Sequence, residues 1–237
     1  MVIYHAAVDS SEGFGESMSD WITARRFHES KGVGDWRVVG EGACTYFRTG
    51  SFASGAQLVN AISELPGLED HHPDVDLRHE GVTVRLITVA PDYYGLSERD
   101  LELARKISAI ARKLGVPADP AMVETVLITI DAFDIPRVKP FWRAVLGYQD
   151  RGDSPEDLVD PRGRGPSIWF QKIDTPDPQV TRIHLDIWVP PDEAKARIAA
   201  AIAAGGHLVT DKYAPAWWTL ADAEGNLADV ATTLSRD

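Results

Sequence analysis

A chain of 237 residues has room for one large domain or two small ones, and its composition is that of an ordinary globular protein. A net charge of −12 argues against a nucleic-acid partner, and no basic run marks a membrane-binding surface. The single cysteine, Cys44, excludes an intramolecular disulfide and fits a reducing cytoplasm, and no apolar run approaches the roughly 18 residues of a membrane span. Residues 1–17 lack a basic start followed by an apolar core. They read as an N-terminal extension rather than a signal peptide, with Met18 as an alternative start.

Ser19 or Asp20 caps a predicted helix running to about Glu29, which Gly32 and Gly34 end. Residues 36–39 and 43–48 read as two strands joined by the turn Gly40-Glu41-Gly42. Ser51 caps a second helix with Phe52, Ala56, Val59 and Ile62 on one face, and Pro66-Gly67 breaks it. Residues 75–79 and 82–89 are the next two strands, with Glu80-Gly81 between them. Ser97 and Asp100 form a capping signal for a third helix, whose stripe is Leu101, Ala104, Ile107, Ala111 and Leu114. Gly115 and Pro117 stop it. The predicted order is α-β-β-α-β-β-α, an antiparallel sheet with its helices on one face, within an α+β fold.

The chemistry-bearing stretch of this half is His71-His72-Pro73. Imidazoles titrate near neutrality, so paired histidines can supply an acid and a base at pH 7. The proline biases His72 towards an extended backbone at the mouth of a strand. A polar loop that merely contains two histidines is the other reading of the same residues.

The flanking segments are Trp36-Arg37-Val38-Val39, Phe47-Arg48-Thr49-Gly50-Ser51-Phe52, Gly81-Val82-Thr83-Val84 and Gly95-Leu96-Ser97-Glu98-Arg99-Asp100. With the histidine pair they resemble, over residues 18–115, the pterin-4a-carbinolamine dehydratase family. The resemblance implies removal of water from a 4a-hydroxytetrahydropterin by histidine acid–base chemistry, with no metal or redox cofactor. It makes His71 and His72 the candidate catalytic residues. Trp36, Pro73, His79 and Asp92 are the candidate contacts to a reduced pterin. It also implies a homo-oligomer paired across sheet edges. The family's third histidine does not carry over: Val89 follows Thr88, and the loop 90–94 is longer than the family's. His79 stands where an aromatic residue is common.

Residues 116–121 hold two prolines and read as a linker. Beyond it, Ile128-Thr129-Ile130-Asp131 corresponds to Ile183-His184-Leu185-Asp186, 55 positions on. Each strand leads into a predicted helix, 135–146 and 192–204, and each helix ends at a glycine, Gly147 and Gly205. Short strands follow at 167–173 in the first copy and at 217–220 and 227–231 in the second. Together with Phe141-Trp142, Leu146-Gly147-Tyr148 and Ala221-Asp222-Ala223-Glu224-Gly225-Asn226, these paired βαβββ modules resemble the glyoxalase-like members of the vicinal oxygen chelate superfamily, over residues 122–237.

The resemblance implies a cleft between modules, which in some members holds a divalent ion. Here His184 falls on a ligand position, but its repeat partner is Thr129, and Leu227 follows Gly-Asn, with Asp229 two residues on. With Gln171 that is one imidazole, one carboxylate and one amide, a sparse set, so no metal is expected. Trp142, His184, Trp218 and Asp229 are the candidates for a second cleft holding an unidentified small ligand. Trp169, Trp188 and Trp217 either line it or pack the core. Gly163-Arg164-Gly165 lacks the strand–helix context of a phosphate cradle.

Three functions follow. The first is a pterin dehydratase fused to a glyoxalase-like domain. The second is a binding protein that keeps both folds without turnover. The third is a lyase or dioxygenase acting in the second cleft. Fold does not choose among them, because function lives in the site.

Overall fold

The computed structural model describes residues 20–40, 42–174, 183–221, 225 and 227–236. The extension 1–17, Met18, Ser19, Glu41, Asp222-Ala223-Glu224 and Asn226 lie outside the described residues. No described helix is long and apolar enough to cross a membrane.

The N-terminal half runs β1 (Trp21–Ile22), α1 (Ala24–His28), β2 (Arg37–Val39), β3 (Gly42–Arg48), α2 (Phe52–Ser63), β4 (Asp74–Leu77), β5 (Gly81–Leu86), β6 (Thr88–Ala90), β7 (Tyr93–Ser97) and α3 (Glu98–Lys113). Strands β2, β3, β5 and β4 form an antiparallel sheet in that spatial order. Val82, Val84 and Leu86 of β5 alternate onto one face, as do Ala43 and Phe47 of β3. They join Phe27 of α1, Leu58 and Ile62 of α2, and Leu101, Ala104 and Ile107 of α3 in one core. The α+β expectation, with helices on one face, holds here.

Three local expectations are corrected. The first helix is shorter at its start: Trp21 and Ile22 pair as β1 with Ser97 and Leu96, and Thr23 caps α1 by accepting from Arg26 N–H. The strand expected over 82–89 breaks at Ile87, because β5 and β6 belong to different sheets. Residues 90–94 form no long loop: Ala90 pairs with Tyr93 and Val89 with Tyr94, so Pro91-Asp92 is a two-residue hairpin turn.

The buried stripe of α2 is also rotated, to Gly55, Leu58 and Ile62, with Phe52 56% exposed. Gly55 lets α2 pack closely there, since a Cβ would lie 2.4 Å from Leu77 Cδ1 and the leucine would have to move.

Residues 116–121 lie against β3. Arg48 N–H donates to Pro117 O, and Asp119 N–H to Tyr46 O. A short 3-10 turn follows at Pro120–Met122.

The C-terminal half runs β8 (Thr125–Ala132), α4 (Ile135–Leu146), β9 (Gln149–Arg151), β10 (Ser154–Val159), β11 (Ser167–Lys172), β12 (Ile183–Trp188), α5 (Ala194–Ala203), β13 (His207–Thr210), β14 (Trp217–Ala221) and β15 (Leu227–Ala231). These are two βαβββ modules. Asp134 caps α4, Pro136 sits in its first turn, and Gly147 ends it at φ 66°. Eight strands form one sheet in the order β13-β14-β15-β12-β8-β11-β10-β9, each half repeating the other about the β12–β8 seam. At that seam the repeat partners Thr129 and His184 face each other in antiparallel register. Strands β9, β10 and β13 had no clear sequence signal, because each is short and none alternates cleanly, the edge strand Gln149–Arg151 being polar throughout.

The two halves meet in a small cluster. Val39, Cys44 and Tyr46 of the first pack with Val123 and Trp188 of the second. Burial there pushes the Cys44 thiol up to about 12. Arg37 adds a bidentate pair to Asp192, with Nε and Nη2 donating at 3.1 and 2.7 Å.

Candidate functional site

Two cavities hold the chain's candidate chemistry. The first, of about 1020 Å³, opens between the end of α2, the β6–β7 hairpin and α3. Trp21, Leu68, His71, Val89, Asp92 and Leu103 are among its walls.

His71 is held there from behind. Its Nε2 lies 2.8 Å from Oδ1 of Asp100, whose carboxylate is fully buried. The other oxygen, Oδ2, accepts from Ser97 N–H at 2.8 Å and from Thr88 Oγ1 at 2.7 Å, with Ser97 Oγ at 3.1 Å. An ionised carboxylate only accepts, so Nε2 carries the hydrogen and donates to Asp100. The ring is thereby oriented, and Nδ1 is the nitrogen that Asp100 does not engage. Together with Ser97, Asp100 also closes the capping box of α3. The sequence showed Asp100 as a helix cap and gave no sign of its contact with His71.

The remaining expected contacts separate. His72 is exposed and Pro73 half-buried, and neither is part of the cavity wall. The pair lies in the bend ahead of β4, where His71 N–H donates to Gly67 O, and the strand begins only at Asp74. His79 is exposed, with Nδ1 2.7 Å from Glu80 Oε1. Trp36 is corrected to a core residue: it is fully buried, and its indole N–H donates to Ser108 Oγ at 3.0 Å. Asp92 does line the cavity, at the hairpin turn, and Val89 stands beside it 63% exposed.

The tryptophan in this wall is Trp21, which the sequence pattern places in a helix. It stacks on Tyr93 with centroids 4.1 Å apart and planes 5° from parallel. Its indole N–H is buried without a hydrogen-bond partner. That flat wall with one spare donor suits a planar heterocycle.

The second cavity, of about 730 Å³, lies on one face of the eight-stranded sheet. Strand alternation selects its lining. His184, Asp186 and Trp188 come from β12, Trp169 and Gln171 from β11, and Trp217 and Thr219 from β14. Asp229 comes from β15 and Asp131 from β8. The opposite face packs under the helices. Trp142 joins Ile130, Ile168 and Phe170 there, and Trp218 joins Leu220 and Val230. Trp142 and Trp218 are therefore corrected to core residues, while His184 and Asp229 stand in the cleft.

Asp186 was not among the expected cleft residues, although its i, i+2 spacing from His184 was available. Its Oδ2 accepts from Thr129 Oγ1 at 2.8 Å. Its Oδ1 is buried without a hydrogen-bond partner, as is Asp229 Oδ1. Burial pushes the Asp186 carboxyl up to about 6, against the Thr129 hydrogen bond, and burial likewise raises Asp229.

His184 Nε2 lies 3.4 Å from Asp186 Oδ1 and 3.9 Å from Asp229 Oδ2. Among the described residues these three form a group whose ligand atoms all lie within 4.8 Å of one another. The donor set is richer by one carboxylate than the sequence suggested, and it fits a divalent ion. His184, Asp186 and Asp229 would hold it, and it would act there as a Lewis acid.

A family profile described as pterin 4 alpha carbinolamine dehydratase matches residues 19–110, and one described as a glyoxalase-like domain matches residues 127–231. The chain is 31% identical over 78 residues to a "Putative pterin-4-alpha-carbinolamine dehydratase" of Mycobacterium leprae, covering 33% of this chain and 81% of that protein. It is 36% identical over 78 residues to a protein of the same name from Nocardia farcinica, covering 33% of this chain and 80% of that one. Among solved structures, a glyoxalase/bleomycin resistance protein/dioxygenase superfamily member from Vibrio splendidus aligns with 46% of this chain and 99% of its own. The TM-score is 0.31 at 18% identity.

Proposed function

Because the chain belongs to the pterin-4a-carbinolamine dehydratase family through residues 19–110 and carries a glyoxalase-like domain over residues 127–231, we propose that its first cavity removes water from a 4a-hydroxytetrahydropterin. The C4a–O bond breaks, the hydroxyl takes a proton and leaves as water, and N5 gives up its proton. The product is the quinonoid dihydropterin. Protons balance, and nothing is oxidised or reduced.

The observation that supports this reading is the contact between His71 and the buried Asp100. An imidazole fixed through Nε2 keeps Nδ1 for use as a general acid or base. The Trp21–Tyr93 stack offers a flat face for the pteridine ring. Asp92, on the β6–β7 hairpin side of the cavity, is the candidate partner for the other proton transfer. Val89 leaves the place of a further histidine without a proton carrier.

The test is dehydration of chemically prepared 4a-hydroxytetrahydropterin, followed by absorbance, with pterin-analogue affinity measured in parallel. Wild type should exceed the uncatalysed rate, and His71→Ala should lower turnover by about 10²-fold or more. A wild-type rate equal to that of buffer, with analogue binding intact, would favour the reading that this half binds a pterin without turning it over.

A further inference from the structure

The second cavity has an aromatic wall and an acidic floor, and one of the chain's own cations already rests against that wall. Arg236, in the segment after β15, places its guanidinium carbon 4.4 Å from the Trp188 ring centroid and 5.2 Å from that of Trp217. Tyr213 stacks on Trp217 at 4.4 Å and extends the wall. Arg236 is moored by Nε donating to Thr232 O at 2.9 Å and by Nη2 at 3.4 Å from Ala216 O. Its charge is felt by Asp186 and Asp229.

Charge and hydrogen bonding both remain unbalanced. The lining includes four carboxylates, Asp131, Asp157, Asp186 and Asp229, against two guanidiniums, Arg151 and Arg236, and the His184 imidazole, which lies 3.4 Å from Asp186 and 3.9 Å from Asp229. Arg151 is committed to Asp153 and Asp157, at 2.6 and 3.3 Å. Asp186 is only 8% exposed, yet its Oδ1 finds no hydrogen-bond partner, and neither does Asp229 Oδ1. A buried carboxylate oxygen without a donor is costly, and a cation bearing N–H or polarised C–H groups relieves that cost.

We propose that this cavity is a binding site for a small organic cation, of alkylammonium or guanidinium type, and that Arg236 occupies the cation's position until it is displaced. Indole faces attract weakly hydrated monocations through the ring quadrupole, and the carboxylates behind them supply the counter-charge. Gly40 of the N-terminal half closes the rim against Trp188: a Cβ there would sit 3.8 Å from Trp188 Cγ. A bare divalent ion at His184, Asp186 and Asp229 would use the same carboxylates but leave the aromatic wall without a role. It would also be opposed by the Arg236 charge nearby.

The experiment is titration of the full chain with tetramethylammonium or methylguanidinium chloride at constant ionic strength, read by tryptophan fluorescence and calorimetry. tert-Butanol serves as a neutral control of similar size to tetramethylammonium. Arg236→Ala should bind at least one of the two cations about fivefold or more tightly than wild type, since the built-in competitor is gone. Adding Trp217→Leu to Arg236→Ala should weaken that binding by a similar factor, and so should adding Asp186→Asn. Circular dichroism verifies the fold of each variant. Arg236→Lys, which keeps the charge and loses the planar stack, should lie between wild type and Arg236→Ala. The proposal is overturned if neither cation binds folded Arg236→Ala, or if tert-butanol binds as well as tetramethylammonium. It is equally overturned if manganese or zinc binds stoichiometrically while neither organic cation competes with it.

Discussion

His71 and Asp100 stand 29 positions apart in the chain and meet at 2.8 Å, the imidazole at a cavity wall and the carboxylate fully buried behind it. One aspartate thereby caps a helix, holds Thr88 and Ser97, and fixes the tautomer of the proposed acid–base residue. Asp100→Asn keeps the shape and an acceptor but removes the charge. Turnover in the dehydration assay should fall about 10–100-fold while the affinity for a pterin analogue changes less than about threefold. Equal losses in both, alongside a lower melting midpoint, would mark Asp100 as structural only.

Val89 lies 63% exposed beside the cavity, so a larger side chain fits there without repacking. Val89→His should raise turnover by about tenfold or more, within the range a positioned acid or base contributes. Asp92→Asn should lower residual turnover, because Asp92 lines the same cavity. His79→Gln should change nothing, since His79 is exposed against Glu80. A Val89→His rate no better than wild type would mean that this position takes no part in proton transfer.

The two tryptophans should respond in opposite ways. Trp21→Ala should weaken pterin-analogue binding about tenfold with little change in fold, because its ring lines the cavity against Tyr93. Trp36→Phe should leave affinity unchanged and cost about 1–3 kcal/mol of stability, since it removes core volume and strands the Ser108 hydroxyl. Calorimetric titration and denaturant melts on both variants read this directly.

The Arg37–Asp192 pair tests the junction between the halves. The hydrogen bond from Arg37 holds the Asp192 carboxyl below its ordinary range. A depressed carboxylate pKa means that the folded state binds fewer protons, so this contribution is present above about pH 4 and is lost as pH falls through the folded pKa. Asp192 is 55% exposed, which keeps the pair within about 0.2–1 kcal/mol. Asp192→Asn should lower the melting midpoint slightly at pH 7. The difference should shrink in 1 M salt and vanish below about pH 2. An undiminished difference at pH 2 would assign the effect to packing.

Local chemistry made much of this fold legible. The Ser51 cap, the Ser97–Asp100 capping box and the glycine stop at Gly147 are signals within one turn of their own elements, and the structure uses each of them. The 55-residue repeat announced the paired modules, whose seam joins Thr129 to His184. The first helix was overextended because Trp21-Ile22 has no local mark of its pairing with Leu96-Ser97, which depends on a segment more than 70 residues away.

The sequence by itself determined most of the longer helices and strands, their repeated order in the second half, and that His71, Asp92, His184 and Asp229 were worth weighing. Periodicity, caps and turn residues act over a few positions, so they can be read in one dimension. Only the tertiary structure decided that Trp21 and not Trp36 faces the first cavity, and that His71 is held while His72 points to solvent. The same is true of Asp100 reaching His71, and of Arg236 lying on Trp188 and Trp217 beside Asp186 and Asp229. Each of those facts depends on which side of a packed sheet a side chain emerges, and on what a distant segment has placed there.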